Sequence, residues 1–202
     1  MLNRTSSFLF VFLFGAGLFI ASAGAQDRSA EVRAMLEQRD REIKQVLGKK
    51  DIFTEPQLEK LKTLINGNID FAVMGAEALG PFWKDLTAEQ RAEFVDVFSE
   101  IVRAQSLSDL DIYRTNVTYE KVTAAGDTAR VLTSTVYKEV PAKVEYALGF
   151  HDNQWWLHDI ILDDVSTTEG YARSFQSVVR KRGFEALMNN LRKKRDKVVT
   201  SN

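Results

Sequence analysis

The sequence predicts an α+β fold, with helices packed on one face of a curved four-stranded antiparallel sheet and enclosing an apolar pocket. Apolar residues recur at helical spacing in residues 27–115 and again in 166–197, whereas residues 116–163 alternate between apolar and polar. Short turn sequences separate the alternating segments, which favours strands that pair with their neighbours along the chain.

The first 25 residues are predicted to be a cleavable signal peptide. Arg4 supplies a short positive segment, residues 8–20 are almost uninterruptedly apolar, and residues 21–25 offer an A-x-A cleavage site after Ala25. The apolar run is shorter than the ~20 residues that a membrane-spanning helix needs. We therefore expect export to the periplasm, with residues 26–202 forming a single domain.

Composition excludes several kinds of site. The chain has no cysteine, which excludes a lipoprotein anchor, disulfides and thiolate metal sites. It has 27 basic and 28 acidic residues, and loss of Arg4 with the signal peptide leaves a mature net charge of −2, without basic character for nucleic acid. With two histidines and no spaced carboxylate cluster, neither a metal site nor a cofactor is predicted.

Two helices are predicted before residue 67. Residues 27–47 carry apolar side chains on one side and charges on the other, and residues 56–65 repeat leucine and isoleucine at helical spacing. Pro56 suits the first turn of the second helix, and Asn66 and Gly67 suit its end.

Residues 69–98 are the most informative segment and predict two helices joined by a corner at Gly80. Small residues interleave with bulky apolar ones, so the helices can approach closely while aromatic rings line the space between them. Thr87 and Gln90 form a capping box that fixes the start of the second helix, which is expected to run to about Ala104.

Four strands are predicted at residues 117–123, 128–138, 142–151 and 154–162. The turns fall at residues 126–127, around Pro141, and at residues 152–153. The chain then returns to helix at residues 166–182, followed by a second short helix after Gly183.

The turn at residues 152–153 fixes a predicted pairing of the last two strands. One face, expected to meet the helices, pairs Phe150 with Trp155, Leu148 with Leu157, Tyr146 with Asp159, and Val144 with Ile161. The other face pairs Gly149 with Trp156 and Ala147 with His158.

Several segments of the chain follow the pattern of a known family. They are residues 69–71 (Ile-Asp-Phe), 78–83 (Ala-Leu-Gly-Pro-Phe-Trp), 87–91 (Thr-Ala-Glu-Gln-Arg), 93–98 (Glu-Phe-Val-Asp-Val-Phe), 144–146 (Val-Glu-Tyr), 159–166 (Asp-Ile-Ile-Leu-Asp-Asp-Val-Ser) and 181–187 (Lys-Arg-Gly-Phe-Glu-Ala-Leu), with Trp155, Tyr171 and Phe175. With these segments in this order, residues 31–194 resemble the MlaC family of periplasmic phospholipid carriers, also called the toluene-tolerance family. The chain departs from the family pattern at Asp164, where glycine is usual, and at Gln105, near a position that often holds tyrosine.

The resemblance implies a shuttle that carries phospholipid between an outer-membrane lipoprotein complex and an inner-membrane ABC transporter complex, and so maintains outer-membrane lipid asymmetry. In that family the acyl chains enter a pocket between sheet and helices. Each candidate pocket residue could equally be ordinary core. The predicted lipid-binding residues are Phe71, Met74, Leu79, Phe82, Phe94, Phe98, Val144, Tyr146, Leu148, Tyr171, Phe175 and Val178.

Two alternatives stay open from the sequence. The protein could carry another apolar lipid, such as a hopanoid. It could also be an enzyme that uses Asp159 as a general base, although Asp159 could equally satisfy a nearby hydroxyl or N–H group. Adjacent strand residues point to opposite faces, so His158 is not expected to assist Asp159, and no enzyme is predicted. The basic runs at residues 180–182 and 192–195 could meet anionic head groups or an acidic partner surface, or be solvated.

Overall fold

The structure is a computed structural model that describes residues 27–199, so the predicted signal peptide lies outside the described residues. Within this range the chain forms an α+β fold, as predicted. The α-helices are α1 (Ser29–Leu47), α2 (Glu55–Asn66), α3 (Phe71–Leu79), α4 (Ala88–Leu107), α5 (Thr167–Arg182) and α6 (Phe184–Val199), and the strands are β1 (Thr118–Ala125), β2 (Thr128–Tyr137), β3 (Val140–His151), β4 (Gln154–Leu162) and β5 (Val165–Ser166).

The corner between α3 and α4 is a 3-10 helix, Gly80–Asp85, and a second one, Leu110–Arg114, follows α4. The predicted capping box of α4 is confirmed, with the N–H of Gln90 donating to the Thr87 hydroxyl. Helix α4 continues three residues beyond the predicted end at Ala104. Helix α6 has 16 residues and is not the short helix that the sequence predicted.

The sheet has five strands in the order β1-β2-β3-β4-β5, all antiparallel, so the prediction of four strands is wrong. The extra strand is two residues long and pairs with the end of β4. It forms because Asp163 and Asp164 adopt positive φ angles of 46° and 66° and close a two-residue hairpin.

The predicted turn around Pro141 is also misplaced. The β2–β3 hairpin turns at Lys138 and Glu139, both with positive φ, while Pro141 lies inside β3 opposite Val136. The turn at Asp152 and Asn153 is where the sequence predicted it.

The predicted pairing of β3 with β4 holds only near the turn. Phe150 lies opposite Trp155 and Leu148 opposite Leu157, but an extra residue then shifts the register, as in a β-bulge. Beyond that point Asp159 lies opposite Ala147, not Tyr146, and Ile161 lies opposite Glu145, not Val144. The pairing of Ala147 with His158 is therefore also wrong.

The bulge coincides with a crossing chain at the edge of the sheet. The N–H of Leu157 donates to Asn68 O at 2.6 Å, and Leu157 O accepts from the N–H of Asp70 at 2.9 Å. The segment that leads into α3 thereby pairs with β4 in parallel. Since a crossing chain occupies this edge of β4, the helical half of the protein is fixed to the sheet at Leu157.

Three apolar clusters form the interior. The first gathers side chains of α3, α4, α5 and α6, the second lies between α1 and the sheet, and the third between α1, α2 and the end of α4. Leu157 packs against both the first and the second cluster. Helix α1 covers one face of the sheet, whereas α3 and α5 contact the edge strand β4.

Asp159 ties the end of β4 to the start of α5. Its carboxylate accepts from the hydroxyl of Ser166 at 2.5 Å, and from the N–H and hydroxyl of Thr168 at 3.0 and 2.9 Å. Thr168 is buried, with 4% of its surface exposed. The carboxylate therefore satisfies buried donors at the helix N-terminus, which confirms the structural interpretation of Asp159.

We expect Asp159→Ala to lower the free energy of unfolding by about 2–4 kcal/mol, because it leaves buried donors of Thr168 without their charged acceptor. Urea denaturation of the mature protein measures this loss. The matched control, Asp127→Ala, removes an exposed turn carboxylate and should change the unfolding free energy by less than about 0.5 kcal/mol. Equal, small effects of both substitutions would contradict the structural role.

Candidate functional site

Most of the predicted lipid-binding residues lie together. Eight of them belong to the first apolar cluster or pack against it, and six of these eight are buried. Tyr171 and Val178 are the two that are partly exposed. The eight residues are Phe71, Met74, Leu79, Phe94, Phe98, Tyr171, Phe175 and Val178.

The other four predicted residues lie elsewhere. Leu148 is buried beneath α1, and Tyr146 packs against the same cluster between α1 and the sheet. Phe82, in the 3-10 helix, and Val144, in β3, are half-buried. The structure thus divides the predicted set between two apolar layers and does not bring all twelve residues to one pocket.

Aromatic rings organise the first cluster. Phe98 stacks on Phe94 with ring centroids 5.6 Å apart, and it meets Tyr171 and Phe175 edge-on at 5.0 and 5.8 Å. Gly75 allows this packing, because a Cβ at that position would lie 2.9 Å from Cε1 of Phe94. The small residues that the sequence interleaves with aromatic ones therefore let α3 approach the rings of α4.

An apolar groove of about 460 Å³ opens beside these rings, between α4, α5 and α6. Four predicted residues line it, together with three aliphatic side chains that the sequence analysis missed. Leu187 and Leu191 are spaced four residues apart on α6, so the helical period of that segment was the available signal. The apolar walls are Phe98, Ile101, Tyr171, Phe175, Val178, Leu187 and Leu191.

Polar residues also line the groove. They are Thr167, Ser174, Asn190 and Lys194, with Gly170 completing the lining, and Lys194 is exposed. The Tyr171 hydroxyl donates to Gln105 Oε1 at 3.0 Å, and burial of the ring raises the pKa of Tyr171. The phenol is therefore neutral near pH 7. The groove combines apolar walls with a few uncharged polar groups and the exposed ammonium group of Lys194.

Arg192 and Arg195 of α6 pair with acidic residues of α4. Arg192 Nε lies 2.9 Å from Glu93 Oε1, and Arg195 Nε lies 3.6 Å from Glu100 Oε2. These pairs hold α6 against α4 beside the groove. Lys193 and Lys194 are both exposed, but only Lys194 lines the groove.

A second cleft, of about 690 Å³, lies between the sheet and helices α3 and α5. Its walls include charged residues, among them Glu77, Arg130, Asp159 and Glu169. Burial raises the pKa of Glu77, and nearby Asp159 adds to this shift. Since charged groups on its walls favour water over hydrocarbon, this cleft is the weaker candidate for acyl chains.

Asp159, the candidate general base, does not lie on the sheet face that the sequence predicted. Asp159 lies opposite Ala147, on the face of the sheet opposite to Tyr146 and Leu148. Its carboxylate accepts hydrogen bonds from the hydroxyl groups of Ser166 and Thr168 and so holds the start of α5 to β4. The arrangement gives the enzyme alternative no support.

None of the helices within residues 27–199 is long and apolar enough to cross a bilayer.

Comparisons with known proteins agree with the fold. A family model described as MlaC protein matches residues 26–193. The chain is 20% identical over 142 residues to the intermembrane phospholipid transport system binding protein MlaC of Haemophilus influenzae, and the match covers 67% of this chain and 65% of that protein.

A solved structure also shares the fold. It is a phospholipid-binding protein from Ralstonia solanacearum in complex with a phospholipid, with a TM-score of 0.69 and 23% identity. The likeness covers 86% of this chain and 99% of that one. Because the family model spans nearly all the described residues and the fold agrees, this chain belongs to the MlaC family.

Proposed function

We propose that this protein is a periplasmic phospholipid carrier whose acyl chains enter the groove between α4, α5 and α6. The observation that carries the proposal is the family match over residues 26–193. Two further findings support it: the Haemophilus relative is described as a phospholipid transport binding protein, and the Ralstonia structure holds a phospholipid.

The chemistry of the groove suits acyl chains. Each methylene withdrawn from water contributes about 0.8 kcal/mol, so a chain gains from any dry apolar surface without directional contacts. The groove offers aromatic and aliphatic walls, and Lys194 stands at its rim where an anionic phosphate would remain near water. The groove therefore favours an arrangement in which the acyl chains lie inside and the head group lies outside.

Long acyl chains need more room than the groove in its present form provides, because the cluster behind it is closely packed. Phe94 and Phe98 are 0% exposed and Met74 is 1% exposed. Helices α5 and α6 are joined only through Gly183, whose φ is +82°, and ion pairs hold α6 to α4. In our proposal α6 moves away from α4, and the chains replace contacts among the aromatic rings.

We further propose the shuttle role of the family. The carrier would exchange lipid with an outer-membrane lipoprotein complex and with an inner-membrane ABC transporter complex, and so maintain outer-membrane lipid asymmetry. Release at either partner requires that the partner favour the open form of the groove or compete for the lipid. A hopanoid-like cargo would fit the same apolar walls, but it would have no phosphate for Lys194.

Native mass spectrometry of the mature protein, purified from periplasm without detergent, tests the carrier function. We expect a stoichiometric adduct of phospholipid mass, and organic extraction then identifies its head group and chains. An adduct of hopanoid mass would favour the other cargo. A bare protein mass after gentle handling would contradict lipid carriage.

A substitution at the groove tests its assignment. Ser174 is exposed on α5 and lines the groove, so Ser174→Trp should fill the entrance without enlarging a buried core position. Overpacking costs about 1–3 kcal/mol, and we expect lipid occupancy to fall about tenfold or more. Arg173→Trp adds the same ring at an exposed neighbouring position outside the groove and should retain lipid. Full occupancy in a folded Ser174→Trp protein would place the cargo elsewhere.

The lysines of α6 provide a test of head-group contact. Exposed charge pairs contribute up to about 1 kcal/mol, so Lys194→Ala should weaken binding of phosphatidylglycerol about fivefold in lipid-exchange titrations. Lys193→Ala removes an equal charge that does not line the groove and should leave affinity unchanged. Equal losses for both variants would indicate only a general charge effect.

A further inference from the structure

Three side chains of types that can ligate metals converge where the sheet meets α3. Asp70 precedes α3, His151 ends β3, and His158 lies at the bulge of β4. One ligand atom from each lies within 4.8 Å of the others, and His151 Nε2 is 2.8 Å from Asp70 Oδ2. His151 and His158 are close in sequence, but Asp70 lies 81 residues before His151, so no local spacing motif reveals the cluster.

His158 is unusual within this group. Its Nε2 is buried and has no hydrogen-bond partner among the described residues. The ring lies against Gly149, where a Cβ would be 2.1 Å from Cε1 of His158, so a glycine is required for this position of the imidazole.

Asp70 has one carboxylate oxygen for the helix and one for the cluster. Oδ1 accepts from the N–H groups of Ala72 and Val73 at 3.0 and 2.9 Å and so caps α3. Oδ2 faces His151. The side chain of Asp70 is only 12% exposed, so its oxygens are held in a restricted, partly dry position.

His151 is held on two sides. Asp152 Oδ2 lies 3.0 Å from its Nδ1, and Trp156 stacks on its ring at a centroid distance of 5.5 Å and an interplanar angle of 12°. A carboxylate on the far nitrogen of a histidine is the usual outer partner of a metal-ligating imidazole, because it fixes the ring's orientation and raises its basicity.

We propose that Asp70 Oδ2, His151 Nε2 and a ring nitrogen of His158 bind one Zn²⁺ ion, with water in the fourth position. Two imidazoles and one carboxylate form a donor set that suits zinc, whereas Ca²⁺ and Mg²⁺ prefer oxygen ligands. Ligands of tetrahedral zinc at about 2.1 Å from the ion lie about 3.4 Å apart. The observed separations, from 2.8 Å to at most 4.8 Å, bracket that value.

The ion would have a structural role. It would connect the N-terminus of α3, the β3–β4 turn and the bulge, close to the place where Leu157 pairs with Asn68 and Asp70. Zinc binding should therefore strengthen the junction between the helices and the sheet. This site is separate from the groove, and its existence does not depend on the cargo.

Calorimetric titration of the mature, tag-free protein with ZnCl₂ at pH 7.5 tests the site, and Co²⁺ absorption reports its coordination. We expect one equivalent of Zn²⁺, tetrahedral Co²⁺ bands, and a rise in Tm of about 5–10 °C at a zinc concentration 100-fold above Kd. Chelator should reverse the rise, and CaCl₂ or MgCl₂ should produce none. Absence of zinc binding up to millimolar concentration would overturn the proposal and leave Asp70 and His151 as a hydrogen-bonded pair only.

Variants identify the ligands. Asp70→Asn retains an oxygen that can cap α3 but removes the anionic ligand, and His151→Asn changes an exposed ring. We expect either to weaken zinc binding by at least the 10–100-fold typical of outer-shell changes, and Asp152→Asn to weaken it about tenfold. Asp127→Asn is the control without effect. Unchanged zinc affinity in Asp70→Asn or His151→Asn would refute the assignment, and each variant's apo Tm verifies folding.

Discussion

The backbone pairing of Leu157 with Asn68 and Asp70 is the contact on which the rest of the structure depends. The two hydrogen bonds, of 2.6 and 2.9 Å, occupy the edge of β4 and fix where α3 begins. From that start α3 brings Gly75 against Phe94, so the position of the first apolar cluster follows from the same contact. Leu157 itself packs against both layers of the interior, which makes the two halves one packed unit.

The bulge beside Leu157 determines which groups face which side. It places Asp159 on the face opposite to the one that meets α1, where its carboxylate accepts the N–H of Thr168 in the first turn of α5. It also leaves His158 over Gly149 and near Asp70. One additional residue in β4 therefore positions both the start of α5 and the proposed metal ligands. The groove lies away from the bulge, between α4, α5 and α6.

The candidate lipid site was partly predictable. Phe98, Tyr171, Phe175 and Val178 line the groove, and helical spacing of apolar residues marked them in the sequence. Tyr146 and Leu148 were assigned to the same pocket because they alternate on one strand face, yet α1 covers that face in a separate layer. Strand alternation shows which side chains share a face but not which helix covers it.

The sequence by itself determined the helices, the alternation of the sheet and the turn at Asp152, because these depend on local periodicity and on residues that tolerate positive φ. Only the tertiary structure decided the register beyond Leu148, the fifth strand and the meeting of Asp70, His151 and His158. The register and the cluster depend on the contact of β4 with residues 68–70, which are distant in the chain, and such contacts outweigh local preference without changing the sequence periodicity. The fifth strand depends on the positive φ angles of Asp163 and Asp164 and is too short to show alternation.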